Sequence, residues 1–150
     1  MAHTFTRLLY HVVFSTKGRS PTIDAELKPR RHAYLGGIVG KLEGKAIIVG
    51  GTADHVHLLA SLSARTAPAD VLRVVKTNSS RWVHEEWRRR GGFAWQTGYA
   101  AFTVSQSAAE VVKRYIAGQE EHHRRMSFDE ELPELLKKHG IDYDERYLLE

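Results

Sequence analysis

The chain has 150 residues, which favours a single domain, and 42% of them are hydrophobic, enough to form a core and to exclude a disordered chain. The formal net charge of +4 is compatible with an anionic partner such as nucleic acid but does not require one. The absence of cysteine excludes disulfides and thiolate chemistry, so any metal would need nitrogen and oxygen ligands.

Membrane and export signals are also missing from the pattern. No apolar run approaches the roughly 18 residues of a membrane span, and residues 1–7 lack the apolar core of a signal peptide. We therefore expect a cytoplasmic protein without a membrane partner.

The first half of the chain predicts a strand, a helix and a hairpin. Residues 8–14 are rich in β-forming side chains and predict the first strand. Apolar residues recur on one helical face from about residue 24 to about residue 42. Residues 45–52 and 55–62 predict two further strands, joined by a turn at residues 53–54.

A second helix and a fourth extended segment follow. Pro68 in the first turn starts the helix, which we expect to run to about Arg89 and to stop at Gly91-Gly92. Residues 93–104 are rich in aromatic side chains and predict an extended segment that Gly98 interrupts.

The last part of the chain predicts two more helices. Ser107 and Glu110 have the spacing of a capping box, so a third helix should run from about residue 108 to about residue 125. Residues 130–139 predict a short helix in the tail, with Gly140 as its stop.

The order β-α-β-β-α-β-α predicts an α+β fold. Its first six elements match the ferredoxin-like split β-α-β arrangement, with two helices on one face of a four-stranded antiparallel sheet. The third helix must then pack elsewhere, either on the other face or on a second subunit.

A histidine pair is the first candidate site. His55 and His57 are two residues apart in a predicted strand, so both side chains point to the same face and could form half of a metal site. Asp54 could orient one imidazole from behind. Two half-buried histidines with satisfied hydrogen bonds are the competing interpretation.

A tyrosine and a glutamine form the second candidate. Tyr115 and Gln119 are four residues apart on the predicted third helix, so they share a face. Gln119 could offer an oxygen to a cation, and Tyr115 a phenolic oxygen to a phosphorus atom. His122 lies near the same face as a further ligand or phosphate contact, whereas His123 is expected to face solvent. A tyrosine of the core or of an interface is the alternative.

Five segments resemble one known family in the same order. Residues 54–59 (DHVHLL) resemble the His-hydrophobic-His motif of the HUH nucleases, and residues 115–119 (YIAGQ) resemble the nucleophile motif of the small single-tyrosine transposases of bacterial insertion sequences. Residues 11–19, 76–82 and 93–99 are also similar, and repeat-associated tyrosine transposases are close relatives.

The resemblance implies a single domain over residues 1–150, with a catalytic core at about 7–126 and a C-terminal tail at 127–150. It implies Mg²⁺ or Mn²⁺ bound by His55, His57 and Gln119. Tyr115 would be the nucleophile that cuts and rejoins hairpin-associated single-stranded DNA through a 5′-phosphotyrosine.

It also implies a homodimer in the insertion-sequence branch, although repeat-associated relatives can be monomeric. One tyrosine holds one DNA end, so two simultaneous cuts would need two subunits.

Basic and aromatic side chains could bind the substrate. Such cations contact phosphates and aromatic rings stack on bases, although solvated helix faces and core packing are the alternatives. The main candidates are Lys17, Arg19, Arg30, Arg31, Arg73, Lys76 and Arg81, with Lys28, Arg88 to Arg90, Arg124, Arg125, Trp82, Trp87 and Trp95 as further ones.

Two other functions remain open at this point. An inactive or domesticated relative would bind hairpin nucleic acid without cutting it. A metal-dependent phosphoesterase would use water and would tolerate the change Tyr115→Phe.

Overall fold

Four strands form one antiparallel sheet in the computed structural model, which describes residues 3–86 and 92–148. The spatial order is β2-β3-β1-β4, so β3 and β1 are the central strands. Their bounds are Leu9–Ser15 for β1, Lys45–Gly51 for β2, His55–Ser61 for β3 and Ala100–Val104 for β4. The predicted α+β class, the four-stranded antiparallel sheet and the hairpin of β2 and β3 are confirmed.

Two long helices cover one face of this sheet. They are α1 (Leu27–Lys41) and α2 (Pro68–Glu86). Because side chains alternate along a strand, Val56, Leu58 and Ala60 of β3 point into this layer and are buried there. The main hydrophobic core therefore lies between the sheet and the two helices, as predicted.

Three shorter helices lie on the opposite face. They are α3 (Ala109–Ala117), α4 (Gln119–His122) and α5 (Phe128–Lys138). A second core cluster joins Val13 and Phe102 of the sheet to Phe128, Leu135 and Leu136 of α5. The question that the sequence left open is thus answered, because the tyrosine-bearing helix packs on the sheet of its own chain.

The fourth strand is shorter than predicted. Continuous pairing with β1 covers Ala100–Val104, and the side chains of Phe93 and Trp95 are buried in the main core. The indole nitrogen of Trp95 donates to Ser79 Oγ at 2.9 Å, and Gly98 has φ +90. Trp95 still forms an isolated antiparallel bridge with Thr16, and Gln96 N donates to the Ser15 carbonyl, so the extended segment predicted over residues 93–104 is interrupted around Gly98, as expected.

The predicted capping box at Ser107 and Glu110 was wrong. Ala108 is the residue that precedes α3, without a side-chain cap, and Ser107 Oγ lies 3.0 Å from Ser105 Oγ instead. A capping box does form one helix later, between Ser127 and Glu130 at the start of α5.

The predicted helix over residues 108–125 is interrupted. Gly118 has φ −90 and ψ 13, which separates α3 from α4. The tail helix is confirmed as α5, and Gly140 follows it with φ 67. Arg89 and Gly91, proposed as the end of α2, lie outside the described residues. None of the helices in the described ranges is both long and apolar enough to cross a bilayer.

Candidate active site

The two histidines of β3 lie side by side on the face that carries α3 to α5. His55 and His57 are each 0% exposed, and their ring centroids are 5.1 Å apart. Because β3 is hydrogen-bonded to β1 and β2 over its length, the backbone that carries both imidazoles is fixed on two sides. Few conformations remain for these rings to lose when they bind a ligand.

His55 is oriented by the turn before the strand. Its Nδ1 lies 2.8 Å from Asp54 Oδ1 and 3.0 Å from Thr52 Oγ1. Burial alone would raise the pKa of Asp54, but the hydrogen bonds and charges of His55 and Thr52 together outweigh it and hold that pKa below its ordinary value. Asp54 is therefore an ionised acceptor, and Nε2 of His55 points towards Gln119 Oε1 at 2.9 Å.

His57 contacts two residues that were not selected from the sequence as site residues. Its Nδ1 lies 2.8 Å from Nε2 of His11, a buried residue of β1, and its Nε2 lies 3.0 Å from Glu131 Oε1. Burial lowers the pKa of His11 to about 3 and also lowers the pKa of His57. Both rings are therefore neutral near neutral pH, and they share one proton along the His11–His57 contact.

Tyr115 and Gln119 reach the same place from α3 and α4. The Tyr115 hydroxyl donates to Glu131 Oε2, and the Tyr115 ring centroid is 5.7 Å from that of His57. Gln119 is buried, and its Nε2 donates to Glu131 Oε2 at 3.1 Å. Burial and the neighbouring Glu131 carboxylate raise the pKa of Tyr115 above its ordinary value, so the phenol is protonated in this arrangement.

Glu131 of α5 lies at the centre of the site and is only 1% exposed. Burial would raise its pKa, but hydrogen bonds from His123, His57 and Tyr115 hold that pKa well below the ordinary range. The sequence did contain a signal for this residue. Phe128, Glu131 and Leu135 are the buried positions of one helical stripe, and a carboxylate on an apolar stripe marks an unusual environment.

The two histidines after Gln119 both approach Glu131. The prediction that His123 faces solvent was wrong: its side chain is 9% exposed, and its Nε2 lies 2.9 Å from Gln119 Oε1 and 3.1 Å from Glu131 Oε1. The reason is spacing, since His123 follows Gln119 by four residues and shares its helical face. His122 is more exposed, and its Nε2 lies 3.3 Å from Glu131 Oε2 without hydrogen-bond geometry.

These side chains could bind a metal ion. One donor atom from each of His55, His57, His123 and Glu131 lies within 4.8 Å of the others. A cation would also resolve a hydrogen-bond conflict that arises when His55 is neutral. A neutral imidazole donates from one nitrogen, so if His55 Nδ1 donates to Asp54, its Nε2 lone pair faces the Gln119 oxygen. Turning the amide of Gln119 would only move the conflict to Glu131.

Three of the proposed DNA-binding cations are buried in the protein or donate hydrogen bonds to it. Arg31 is 0% exposed, which contradicts its assignment as a phosphate contact. Arg19 donates to Asp129 Oδ1 at 2.6 Å and to the Leu148 carbonyl at 2.9 Å, and Lys76 donates to two loop carbonyls at 2.6 Å. The exposed candidates are Lys17, Arg30, Arg73, Arg81, Arg124 and Arg125.

The tryptophans contribute less to the surface than expected. Trp95 is 9% exposed in the core, which contradicts a role in base stacking. Trp82 stacks on Tyr34 with ring centroids 4.7 Å apart. Among the further cations that the sequence proposed, Lys28 forms an ion pair with Glu120. Trp87 and Arg88 to Arg90 lie outside the described residues.

Comparisons with known proteins match this chain to transposases. The family described as "Transposase IS200 like" matches residues 4–119. The ISDra2 transposase TnpA of Deinococcus radiodurans is 26% identical over 118 residues, which cover 75% of this chain and 84% of that protein.

Two solved structures share the fold. A transposase candidate from Deinococcus radiodurans has a TM-score of 0.64 at 22% identity, over 79% of this chain and 95% of its own. A REP-associated tyrosine transposase, solved with a REP hairpin, has a TM-score of 0.62 at 9% identity, over 82% of this chain and 73% of its own. With the family match over most of its length, the chain belongs to the IS200-like transposase family.

Proposed function

We propose that this transposase cuts and rejoins single-stranded DNA through a 5′-phosphotyrosine at Tyr115, with Mg²⁺ or Mn²⁺ bound by His55, His57 and Gln119. One observation carries the proposal: the Tyr115 hydroxyl and Nε2 of His57 contact the two oxygens of a single carboxylate, that of Glu131. The hydroxyl of Tyr115 and the imidazole of His57 in one chain are thus separated by a single carboxylate group.

The proposed covalent step transfers the DNA phosphate to Tyr115, with the polarity that the family resemblance implies. The Tyr115 oxygen loses its proton to water and forms a bond to phosphorus, and the bond from phosphorus to the 3′ oxygen of the preceding nucleotide breaks. That oxygen takes up a proton and leaves as a free 3′-OH. A second 3′-OH can attack the phosphotyrosine, release the phenol and rejoin the strand without ATP. A divalent cation at the imidazoles would act as a Lewis acid and would orient the phosphate.

Tyr115 must change its environment before it reacts. A phenol with an ordinary pKa of about 10 is only about one part in a thousand ionised at pH 7, and the Glu131 carboxylate raises that pKa further. The reacting phosphate must therefore displace the Glu131 oxygen from the hydroxyl. Two imidazoles favour a softer cation than Mg²⁺, so Mn²⁺ should support activity at least as well.

The proposed substrate is DNA with a hairpin. The structural relative with 9% identity was solved with a REP hairpin, and the exposed cations of this chain supply phosphate contacts. We further propose a homodimer, since one tyrosine can hold only one DNA end.

A covalent adduct is the decisive measurement. The protein is incubated with end-labelled single-stranded hairpin DNA and Mn²⁺, denatured and analysed by gel electrophoresis. A transposase of this type gives a protein–DNA adduct that Tyr115→Phe abolishes. Cleavage without an adduct would identify a hydrolase that uses water, and binding without cleavage would identify an inactive hairpin-binding module.

Two further variants test the metal and the dimer. His57→Ala should abolish cleavage while leaving DNA binding within about twofold, because imidazoles and phosphate-binding cations are separate groups. A mixture of Tyr115→Phe and His57→Ala chains should recover activity only where subunits share sites. Retained cleavage in His57→Ala would contradict the metal assignment.

A further inference from the structure

We propose that Glu131 is a metal ligand, supplied by α5 to the cation that His55 and His57 bind. This inference rests on the metal site of the proposed function and departs from it, because it adds a carboxylate to the expected ligands. Glu131 lies beyond residues 4–119, the part of the chain that the family matches. The ligand would therefore be a property of this chain's own C-terminal segment.

The distances between donor atoms fit one shared cation. Glu131 Oε1 lies 3.0 Å from His57 Nε2, 3.7 Å from His55 Nε2 and 3.1 Å from His123 Nε2. Two ligands bonded to one cation at roughly 2.1 Å are roughly 3.0 to 3.4 Å apart, depending on the angle between them. The distances from Glu131 to His57 and His123 fall in this range, and the distance to His55 is slightly longer, so the carboxylate lies where a shared cation could reach it.

The charges favour the same arrangement. His55, His57 and Gln119 offer neutral donors, and a divalent cation held by these three alone would be buried without a negatively charged ligand. Glu131 supplies one negative charge at the point where the imidazole nitrogens converge. A carboxylate with two imidazoles is a ligand set typical of divalent first-row transition metals, which again favours Mn²⁺ over Mg²⁺.

Two other roles for this carboxylate give different expectations. A general base for Tyr115 would accept the phenolic proton that Glu131 Oε2 already faces, and its replacement by Gln would leave the affinity for Mn²⁺ unchanged. A carboxylate that merely fills the place of a bound cation would be expelled when the metal arrives. In this second role the metal would weaken the docking of α5, whereas a metal bound by Glu131 would strengthen it.

A ligand on α5 couples metal binding to the docking of that helix. If Glu131 coordinates the cation, the docked helix binds metal more tightly, and the metal must in turn stabilise the docked helix. If Glu131 only occupies the site, the metal must weaken docking. Amide hydrogen exchange in residues 128–138 therefore changes in opposite directions under the two readings.

The experiment uses the full chain and Mn²⁺ alone. Calorimetry gives the Kd for Mn²⁺, and exchange followed by mass spectrometry reports on α5 with and without the ion. We expect Mn²⁺ to slow exchange in α5 of the wild type. Glu131→Gln should raise the Kd for Mn²⁺ by about tenfold or more and remove the protection. Glu134→Gln, an exposed position on the same helix, should retain both.

Faster exchange in α5 with Mn²⁺, or equal or tighter Mn²⁺ binding by Glu131→Gln, would overturn the assignment of Glu131. The wild-type protein alone shows whether Mn²⁺ slows or speeds exchange in α5, so this result stands even where a variant folds poorly. Failure of the underlying metal site is recognised separately, because His57→Ala would then bind Mn²⁺ as the wild type does.

Discussion

His11 determines which nitrogen of His57 faces the centre of the site. Its Nε2 lies 2.8 Å from His57 Nδ1 and can accept the His57 proton there when a cation takes the place of the proton that Nε2 otherwise donates to Glu131. Partners of this kind commonly change metal affinity by about 10- to 100-fold. His11 is thus a positioning residue rather than a ligand.

His11→Leu should therefore weaken Mn²⁺ binding by about 10-fold or more, because the hydrogen bond that orients His57 is lost. His11→Gln should recover part of this affinity, since its side chain can still accept a hydrogen bond. Calorimetry with Mn²⁺ measures both variants, and hairpin binding without metal serves as the control. Equal Kd values for Leu and Gln would show that His11 only fills space.

Arg31 is a charged residue inside the main core. Its Nε and Nη1 have no hydrogen-bond partner within the described part of the chain, and Nη2 contacts the neighbouring His32. Burial lowers the pKa of Arg31 to about 9, so it still carries its charge at neutral pH. Arg31→Met should raise the free energy of unfolding by about 1–3 kcal/mol.

Urea denaturation measures this change. Arg81→Met, at an exposed position of α2, should change stability by less than about 0.5 kcal/mol. A loss of stability in Arg31→Met would mean that the guanidinium is stabilised by its surroundings after all.

His32 gives the stability of the protein a pH dependence. Burial and the adjacent Arg31 lower its pKa to about 3, so the unfolded chain, with an ordinary value near 6.5, binds a proton first as pH falls. The stabilisation is present above about pH 6.5 and is lost as pH falls from there towards 3. Denaturation between pH 7.5 and 5 should show a smaller loss for His32→Gln than for the wild type, and an equal loss would contradict this cause.

At the scale of elements, a glycine sets the distance between α3 and the sheet. A Cβ at Gly50 would lie 2.5 Å from the Ile116 carbonyl oxygen and 2.7 Å from Ile116 Cγ2. Gly50 pairs with His57 in the sheet, so this close approach brings the helix of Tyr115 to the histidines. The tyrosine reaches the site because β2 has no side chain at this position.

Gly50→Ala should push α3 off the sheet, lower the free energy of unfolding by about 1–3 kcal/mol and abolish adduct formation. Gly37→Ala in α1 is the matched control, because a Cβ there meets nothing within 4 Å and alanine favours a helix by about 0.5–1 kcal/mol. Thermal unfolding and the adduct assay measure both. Normal adduct yield in Gly50→Ala would show that the approach is not needed.

Patterns that depend on periodicity predicted the elements well. The strands at residues 8–14, 45–52 and 55–62 and the helix over 24–42 were placed within a few residues, because their buried faces repeat at the period of each element. The errors arose where tertiary contacts decide. The fourth strand is limited to Ala100–Val104 although a longer extended segment was predicted, and Gly118 interrupts a helix that looked continuous by sequence.

At the scale of the whole molecule, the tail is joined to the front of the chain by Arg19. This side chain donates to Asp129 Oδ1 and to the Leu148 carbonyl, and it lies 4.8 Å from the centre of the Phe128 ring. The sequence had suggested a core at about 7–126 and a C-terminal tail at 127–150, and Arg19 was a candidate for DNA binding. In the structure that tail covers the second face of the sheet and supplies Glu131.

Arg19→Met should loosen the tail, because it removes these charge-assisted hydrogen bonds while keeping the aliphatic stem. We expect faster proteolysis within residues 128–148 and little change in the unfolding of the sheet. Lys17→Met, two residues away and exposed, is the control. Tail cleavage at the wild-type rate would contradict the role of Arg19.

The candidate site could be predicted only in part, since sequence spacing reveals neighbours within one element. His55 with His57, and Tyr115 with Gln119, were found as pairs for this reason. His11 and Glu131 come from a separate strand and a separate helix, and only the fold brings them to these pairs.

The position of β3 in the middle of the sheet has a consequence for motion. Amides of a strand paired on both sides usually exchange only when the whole domain unfolds, whereas short surface helices open locally at lower free energy. The two imidazoles thus lie on a strand that resists local unfolding, whereas Tyr115 and Glu131 lie on helices that open more easily. Transient opening of those helices can admit a long polymer while the imidazole pair keeps its geometry between successive turnovers.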